Sequence, residues 1–167
     1  VVVSIFVNPV QFGPKEDFKK YPRDLKKDAH LCQKEDVDII FYPEAKDMYP
    51  DNYKTYVMVE GLSDALCGKS RPGHFKGVAT VVTKLFNIVQ PDIAYFGQKD
   101  AQQAIIIKKM GRDLNIPVKI KVMLTVRNGN GLTLSSRNIY LNERERRDAL
   151  VLSQSLNLAK DLIKKGV

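Results

Sequence analysis

Apolar positions along this chain repeat with two different spacings, and each change of spacing marks an element. The opening run Val1 to Val7 is short, apolar and β-branched, which reads as a buried strand. From Arg23 to Asp36 the apolar residues Leu25, Ala29 and Cys32, with Leu31 beside them, fall on one face of an amphipathic helix. Val37 to Tyr42 returns to the short β-branched pattern, and Pro43 ends it. Strand, helix, strand is a βαβ unit, so these strands are expected to be parallel with a right-handed crossover.

The same grammar continues downstream. Glu44 to Tyr53 reads as a loop, Tyr56 to Glu60 as a strand, Gly61 to Leu66 as a helical turn, and Cys67 to His74 as a mobile, basic connection. Phe75, Val78, Val82, Leu85, Phe86 and Val89 form a helical stripe that Pro91 stops. Asp92 to Phe96 is the next strand, followed by a helix striped by Ala101, Ala104, Ile107, Met110 and Leu114, then a strand over Val118 to Leu124. Asn128-Gly129-Asn130-Gly131 predicts a hairpin-like excursion. A last helix starts at Asn142, with Glu145 in the capping-box position and Ala149, Leu152, Leu156, Ala159 and Ile163 on one face. The expected architecture is α/β, with a main domain over 1–125 and the start of a smaller second domain over 126–167.

Composition narrows the class. The chain has 167 residues, of which 44% are hydrophobic, enough for a sizeable core, and nothing in it suggests disorder. The opening apolar run has no basic flank or small-residue cleavage site, and no run is long enough to span a bilayer. Cys32 and Cys67 have no ligand-spaced partners, so no disulfide framework or metal-ligating set is expected, and a reducing cytoplasm suits them. The formal charge of +8 invites a polyanion, but the lysines are interleaved with acids, as in Lys15-Glu16-Asp17 and Lys26-Lys27-Asp28. A nucleotide-sized anion suits that surface as well as a nucleic acid does.

Three places carry candidate chemistry. Asn8-Pro9-Val10-Gln11-Phe12-Gly13-Pro14 follows the first strand at its carboxyl end, where open α/β sheets bind ligands. Gln11 stands there either as a ligand-facing amide or as a turn residue bonded to nearby backbone. The second place is Gly97-Gln98-Lys99-Asp100-Ala101-Gln102-Gln103, which joins a strand to a helix amino terminus and pairs an approachable backbone with a positive charge. Asp100 and Gln103 equally have the spacing of a capping box. The third, Gly131-Leu132-Thr133-Leu134-Ser135-Ser136-Arg137-Asn138, offers two hydroxyls and a guanidinium, a composition shared by phosphate-handling loops and ordinary surface loops. Gly68-Lys69-Ser70 is not a P-loop, because Ser63 stands where the upstream glycine belongs. His74 is read as structural or surface-bound, with a phosphate contact as the alternative.

Taken together, the runs Phe6 to Gly13, Tyr21-Pro22-Arg23, Arg71 to Phe75, Gly77 to Val82, Phe96 to Gln103 and Leu134 to Asn138 occur in an order and spacing that resembles the pantothenate synthetase (pantoate-β-alanine ligase) family. The resemblance implies a Rossmann-like nucleotidylyltransferase domain, a small lid domain, ATP and Mg²⁺, and a homodimer. It implies a reaction in which pantoate is adenylated and β-alanine then displaces AMP. Residue by residue, Gln11 and Gln103 resemble the pair that holds pantoate, with Gln11 also near β-alanine. Gly97, Gln98 and Asp100 resemble the groups that meet the nucleotide, Lys99 the phosphate contact, and Val126 the backbone that reads adenine. Leu134, Ser135, Ser136 and Arg137 correspond to a phosphate-binding signature in which Met often replaces Leu134; Lys99, Ser135, Ser136 and Arg137 are the catalytic candidates. The family's His-x-Gly-His signature has no match at His30 or His74, so the chain is expected to be an internal part of the enzyme, with poor catalysis by itself. A related adenylyltransferase for another small acid, or an inactive nucleotide-binding fragment, are the alternatives.

Overall fold

The computed structural model describes residues 1–166, which divide into two compact units, Val1–Met123 and the residues from Leu124 onward. In chain order the first unit contains β1 (Val2–Ser4), a 3-10 turn at Pro9–Gln11, α1 (Leu25–Lys34), β2 (Ile39–Phe41), α2 (Ala45–Met48), α3 (Cys67–Ser70), α4 (His74–Val89), β3 (Ile93–Gly97), a 3-10 turn at Gln98–Asp100, α5 (Ala101–Asp113) and β4 (Lys119–Met123). The second contains a 3-10 turn at Ser136–Tyr140, α6 (Glu143–Asp148) and α7 (Val151–Lys164).

Both sheet ladders are parallel, as the strand–helix–strand order requires. β1 pairs with β2, placing Val2 opposite Ile39, and β3 pairs with β4, placing Ile93 opposite Lys119. The α/β class is therefore as expected, but β1 is shorter than Val1 to Val7 and is not buried. With a ladder on one side only, Val2 remains 40% exposed.

The core of the first unit is built around α4 and α5. Val78, Ala79, Val82 and Phe86 of α4 meet Ile106, Ile107 and Met110 of α5 in one buried cluster with Met48, Val59 and Phe75. Full burial of Ile107 alone is worth about 1.5–3 kcal/mol of transfer free energy. The 3-10 turn at Pro9–Gln11 packs on α4. That approach needs Gly77: a Cβ there would lie 2.6 Å from the Val10 carbonyl oxygen and 2.7 Å from Gln11 Cα.

Several local expectations are corrected. Tyr56 to Glu60 is not a strand; its backbone is laid along α4 instead, where Val57 N–H donates to Thr80 Oγ1 at 3.0 Å. Cys67–Ser70, expected as a mobile connection, is one helical turn, while Gly61 to Leu66 forms turns that are not helical. Gly68 is a packing glycine, since a Cβ would lie 1.8 Å from the Ser63 carbonyl oxygen. The expected loop after Glu44 contains α2, closed at its start by Glu44 N–H donating to Asp47 Oδ2 at 3.1 Å. The last predicted helix is two, α6 and α7. Around Ala149 and Leu150 the bonding switches to 3-10 type while φ and ψ stay right-handed, so the chain is re-pitched and not broken. The capping box at its start is present: Glu145 N–H donates to Asn142 Oδ1 at 2.9 Å and Asn142 N–H to Glu145 Oε2 at 2.8 Å.

Candidate functional site

In the first unit the Gln11 turn is over-determined. Asn8 caps it and is 2% exposed; its Nδ2 donates to Gly77 O and to Gln11 Oε1, both at 3.1 Å, and its Oδ1 accepts from the Tyr49 hydroxyl at 2.8 Å. On the other flank His74 Nδ1 lies 2.8 Å from Gln11 O and Nε2 lies 3.1 Å from Arg71 Nη1. A carbonyl only accepts and a guanidinium only donates, so the ring is the neutral Nδ1–H tautomer. Burial pushes the His74 pKa below its ordinary value, consistent with that neutral form. Arg71 in turn grips Glu16 through a two-bond fork at 2.8 and 2.5 Å. That hydrogen bond holds the Glu16 carboxyl below the usual range, against the opposing effect of partial burial. His74 is thus the structural histidine of the two readings, and it sits under the candidate residue.

The β3–α5 junction behaves differently. Asp100 occupies the N-cap position of α5 without capping it, and its carboxylate pairs with Lys99 Nζ at 3.0 and 3.1 Å. The capping-box alternative for Asp100 and Gln103 is therefore not formed. Gly97 has φ −80°, and a Cβ there would meet nothing within 4 Å, so neither backbone conformation nor packing demands glycine. Gln103 lies on the first turn of α5, half-buried, and Gln98 lies in the 3-10 turn before it. Gln102, which no sequence argument singled out, fastens the neighbouring segment: its Nε2 donates to Leu62 O at 3.0 Å and Ala65 O at 2.7 Å, and its Oε1 accepts from Cys67 N–H at 3.1 Å. Gln11 and Gln103 thus stand on elements that both pack against α4.

In the second unit the predicted hairpin forms. Arg127 bridges Thr133 antiparallel, Leu134 N–H donates to Val126 O at 3.0 Å, and Gly131 sits at φ +95°, where a side chain would be strained. Asn128 Oδ1 accepts from Leu132 N–H at 2.8 Å, and Leu132 is buried. Ser135 caps the turn Ser136–Tyr140, its Oγ accepting from Arg137 N–H at 3.3 Å. Asn138 fastens the loop by donating to Thr133 O at 2.9 Å, and Arg146 of α6 donates to Asn138 O at 2.7 Å. Leu134 is 54% exposed and Val126 64% exposed. Among the described residues no group of three or more His, Cys, Asp or Glu side chains is gathered as for a metal, and no helix is long and apolar enough to cross a membrane.

The family model for pantoate-beta-alanine ligase matches residues 1–166. The chain belongs to that family. It is 62% identical over 165 residues to the pantothenate synthetase of Acetivibrio thermocellus and 61% identical over 166 residues to that of Moorella thermoacetica. In each case 99% of this chain is aligned with 59% of the relative, so the chain spans about three fifths of the length of these relatives. A pantothenate synthetase structure from Thermus thermophilus superposes with a TM-score of 0.97 at 50% identity, covering 99% of this chain and 60% of that one. The family's enzyme from Francisella tularensis, complexed with Beta-gamma ATP and β-alanine, gives a TM-score of 0.87 at 42% identity over 93% of this chain and 60% of its own.

Proposed function

We propose that this protein is an ATP-dependent ligase that joins pantoate to β-alanine, giving pantothenate, AMP and pyrophosphate. The observation that carries the reading is the family match over residues 1–166. A pantoate carboxylate oxygen attacks the α-phosphorus of ATP as the bond to the departing pyrophosphate breaks. The β-alanine amine then attacks the acyl carbon of the pantoyl adenylate, loses a proton, and AMP leaves with the former carboxylate oxygen.

Within that reading Gln11 and Gln103 hold pantoate. Neutral amides suit a carboxylate nucleophile, because a paired cation would stabilise it in the ground state and blunt its attack. Gly97, Gln98 and Asp100 meet the nucleotide, Val126 reads adenine through its backbone, and Leu134 presents backbone to a phosphate. Lys99, Ser135, Ser136 and Arg137 act on the charge that develops as pyrophosphate leaves. Lys99 then exchanges its Asp100 partner for a phosphate oxygen. Mg²⁺ would come with the ATP and not on a dedicated protein site, since among the described residues no cluster of His, Cys, Asp or Glu is gathered to hold it. When bound, it neutralises phosphate charge. Residence in the cytoplasm and assembly as a homodimer belong to the same proposal.

The test is pyrophosphate release, with ATP and a panel of small acids followed by addition of β-alanine, by a protein that carries this chain and spans the whole length of its relatives. Release dependent on pantoate, with AMP and pantothenate formed after β-alanine, is the expected result. Faster release with another acid would move the protein to a different adenylyltransferase, and no acid-dependent release would end the enzymatic reading.

A further inference from the structure

The orientation of the Asn8 amide is settled by two groups that can each play only one role. A peptide carbonyl only accepts and a peptide N–H only donates. Asn8 faces Gly77 O at 3.1 Å with one end of its amide and Val10 N–H at 3.4 Å with the other, so the first is Nδ2 and the second Oδ1. The second proton of Nδ2 reaches Gln11 at 3.1 Å, which makes that Gln11 atom Oε1. Gln11 therefore spends its acceptor on the protein and keeps its donor: among the described residues Nε2 has no hydrogen-bond partner.

What keeps Asn8 in that pose is the Tyr49 hydroxyl, which donates to Oδ1 at 2.8 Å. The bond to Val10 N–H is long, so without Tyr49 a deeply buried oxygen would be poorly satisfied and the amide would seek another rotamer. Burial and the Tyr53 phenol push the Tyr49 pKa well above its ordinary value, so the hydroxyl is a donor at any working pH. The ring is held independently, edge-on to Tyr53 with centroids 5.1 Å apart and tilted against Phe6 at 6.5 Å. Phenylalanine at this position keeps that packing and deletes the one bond.

We propose that Tyr49 is a positioning residue for the acid substrate: acting through Asn8, it fixes the amide polarity of Gln11 so that Gln11 meets the substrate as an N–H donor to an acceptor oxygen. This rests on the reading that Gln11 faces pantoate. The test uses steady-state kinetics of a protein that carries this chain and spans the whole length of its relatives, with Tyr49→Phe, Gln11→Ala and the double variant. Tyr49→Phe is expected to raise the KM for pantoate about three- to tenfold, the size of one neutral hydrogen bond, and to leave the KM for ATP within about twofold. In the Gln11→Ala background it should add nothing, since the two residues act in series. An equal effect of Tyr49→Phe in both backgrounds, or equal effects on both substrates, would mean that the hydroxyl serves only the fold and would overturn the proposal alone. A Gln11→Ala variant with unchanged pantoate KM would overturn the underlying reading and this proposal with it. Gln11→Glu tests polarity without touching Tyr49: it keeps an oxygen for Asn8 and turns a second oxygen outward. It should lose more pantoate affinity than Gln11→Ala; wild-type affinity would refute the donor assignment.

Discussion

Gly77 lies beside a candidate binding residue and Gly97 is one, and packing requires glycine only at Gly77. At Gly77 an added methyl collides with backbone of the Gln11 turn at 2.6 and 2.7 Å, and backbone cannot rotate aside. Gly77→Ala must therefore push the turn off α4 and stretch the bond from Asn8 to Gly77 O. The expected cost is about 1–3 kcal/mol of stability, as for an overpacked core site, together with weakened pantoate binding. At Gly97 the same methyl meets no protein atom within 4 Å. Gly97→Ala should leave the unfolding midpoint in urea nearly unchanged while raising the ATP requirement, because the added carbon occupies space that a nucleotide would approach. Loss of stability without any change in ATP affinity would show that Gly97 serves the chain and not the ligand.

At the scale of elements, the Glu16, Arg71 and His74 relay fastens the segment after β1 to the start of α4, and its charges make that attachment depend on pH. His74 resists protonation in the folded state because it is buried. The unfolded chain therefore binds the extra proton first, and stability rises with pH across the window below the ordinary histidine value of 6.5. The contribution is complete above that value and is lost as pH falls toward the lower folded pKa. Glu16, also shifted down, adds a second window that opens below its ordinary 4.5. Urea unfolding at pH 7 and at pH 5.5 should show a fall in stability that His74→Gln reduces; an identical fall in that variant would remove His74 from the account. The relay also shows where sequence reasoning stops. Stripes on α4 and α5 and the apolar run of β3 were legible because each encodes its own period. The bonds from Tyr49 to Asn8 and from Arg71 to Glu16 join residues 41 and 55 positions apart, and no local pattern encodes them. Tyr56 to Glu60 departs from expectation for a related reason: a short apolar run with two valines suits an extended backbone, but does not say whether its partner is a strand or, as here, the Thr80 hydroxyl.

For the molecule as a whole, burial is distributed unevenly between the two units. Among the described residues Leu132 is the one buried hydrophobic residue outside Val1–Met123. The resemblance picked out the Gln11 turn, the β3–α5 junction and the Ser135–Arg137 loop from their residue order, while the side chains that support them had to be read from packing. Their support differs. The Gln11 turn and Gln103 stand on elements packed against α4, whose Ala79 is fully buried. The loop carrying Ser136 and Arg137 is instead tied by hydrogen bonds of its own hairpin and by Arg146, and α7 beyond it has no buried residue, with Leu152, Leu156 and Ile163 64–74% exposed. Local opening free energy follows buried apolar contact, so amide exchange should separate the two units. Amides of α4 and α5 are expected to exchange only on global unfolding of the first unit. Those of α7 should exchange faster by at least about two orders of magnitude, since about 2.7 kcal/mol less protection suffices for that ratio. Ile107→Ala should then speed exchange throughout α4 and α5, by the stability that a core Ile loses on truncation, about 2–5 kcal/mol, and leave α7 unchanged. Equal protection of α4 and α7, or a matching response of α7 to Ile107→Ala, would show that the chain opens as one cooperative body.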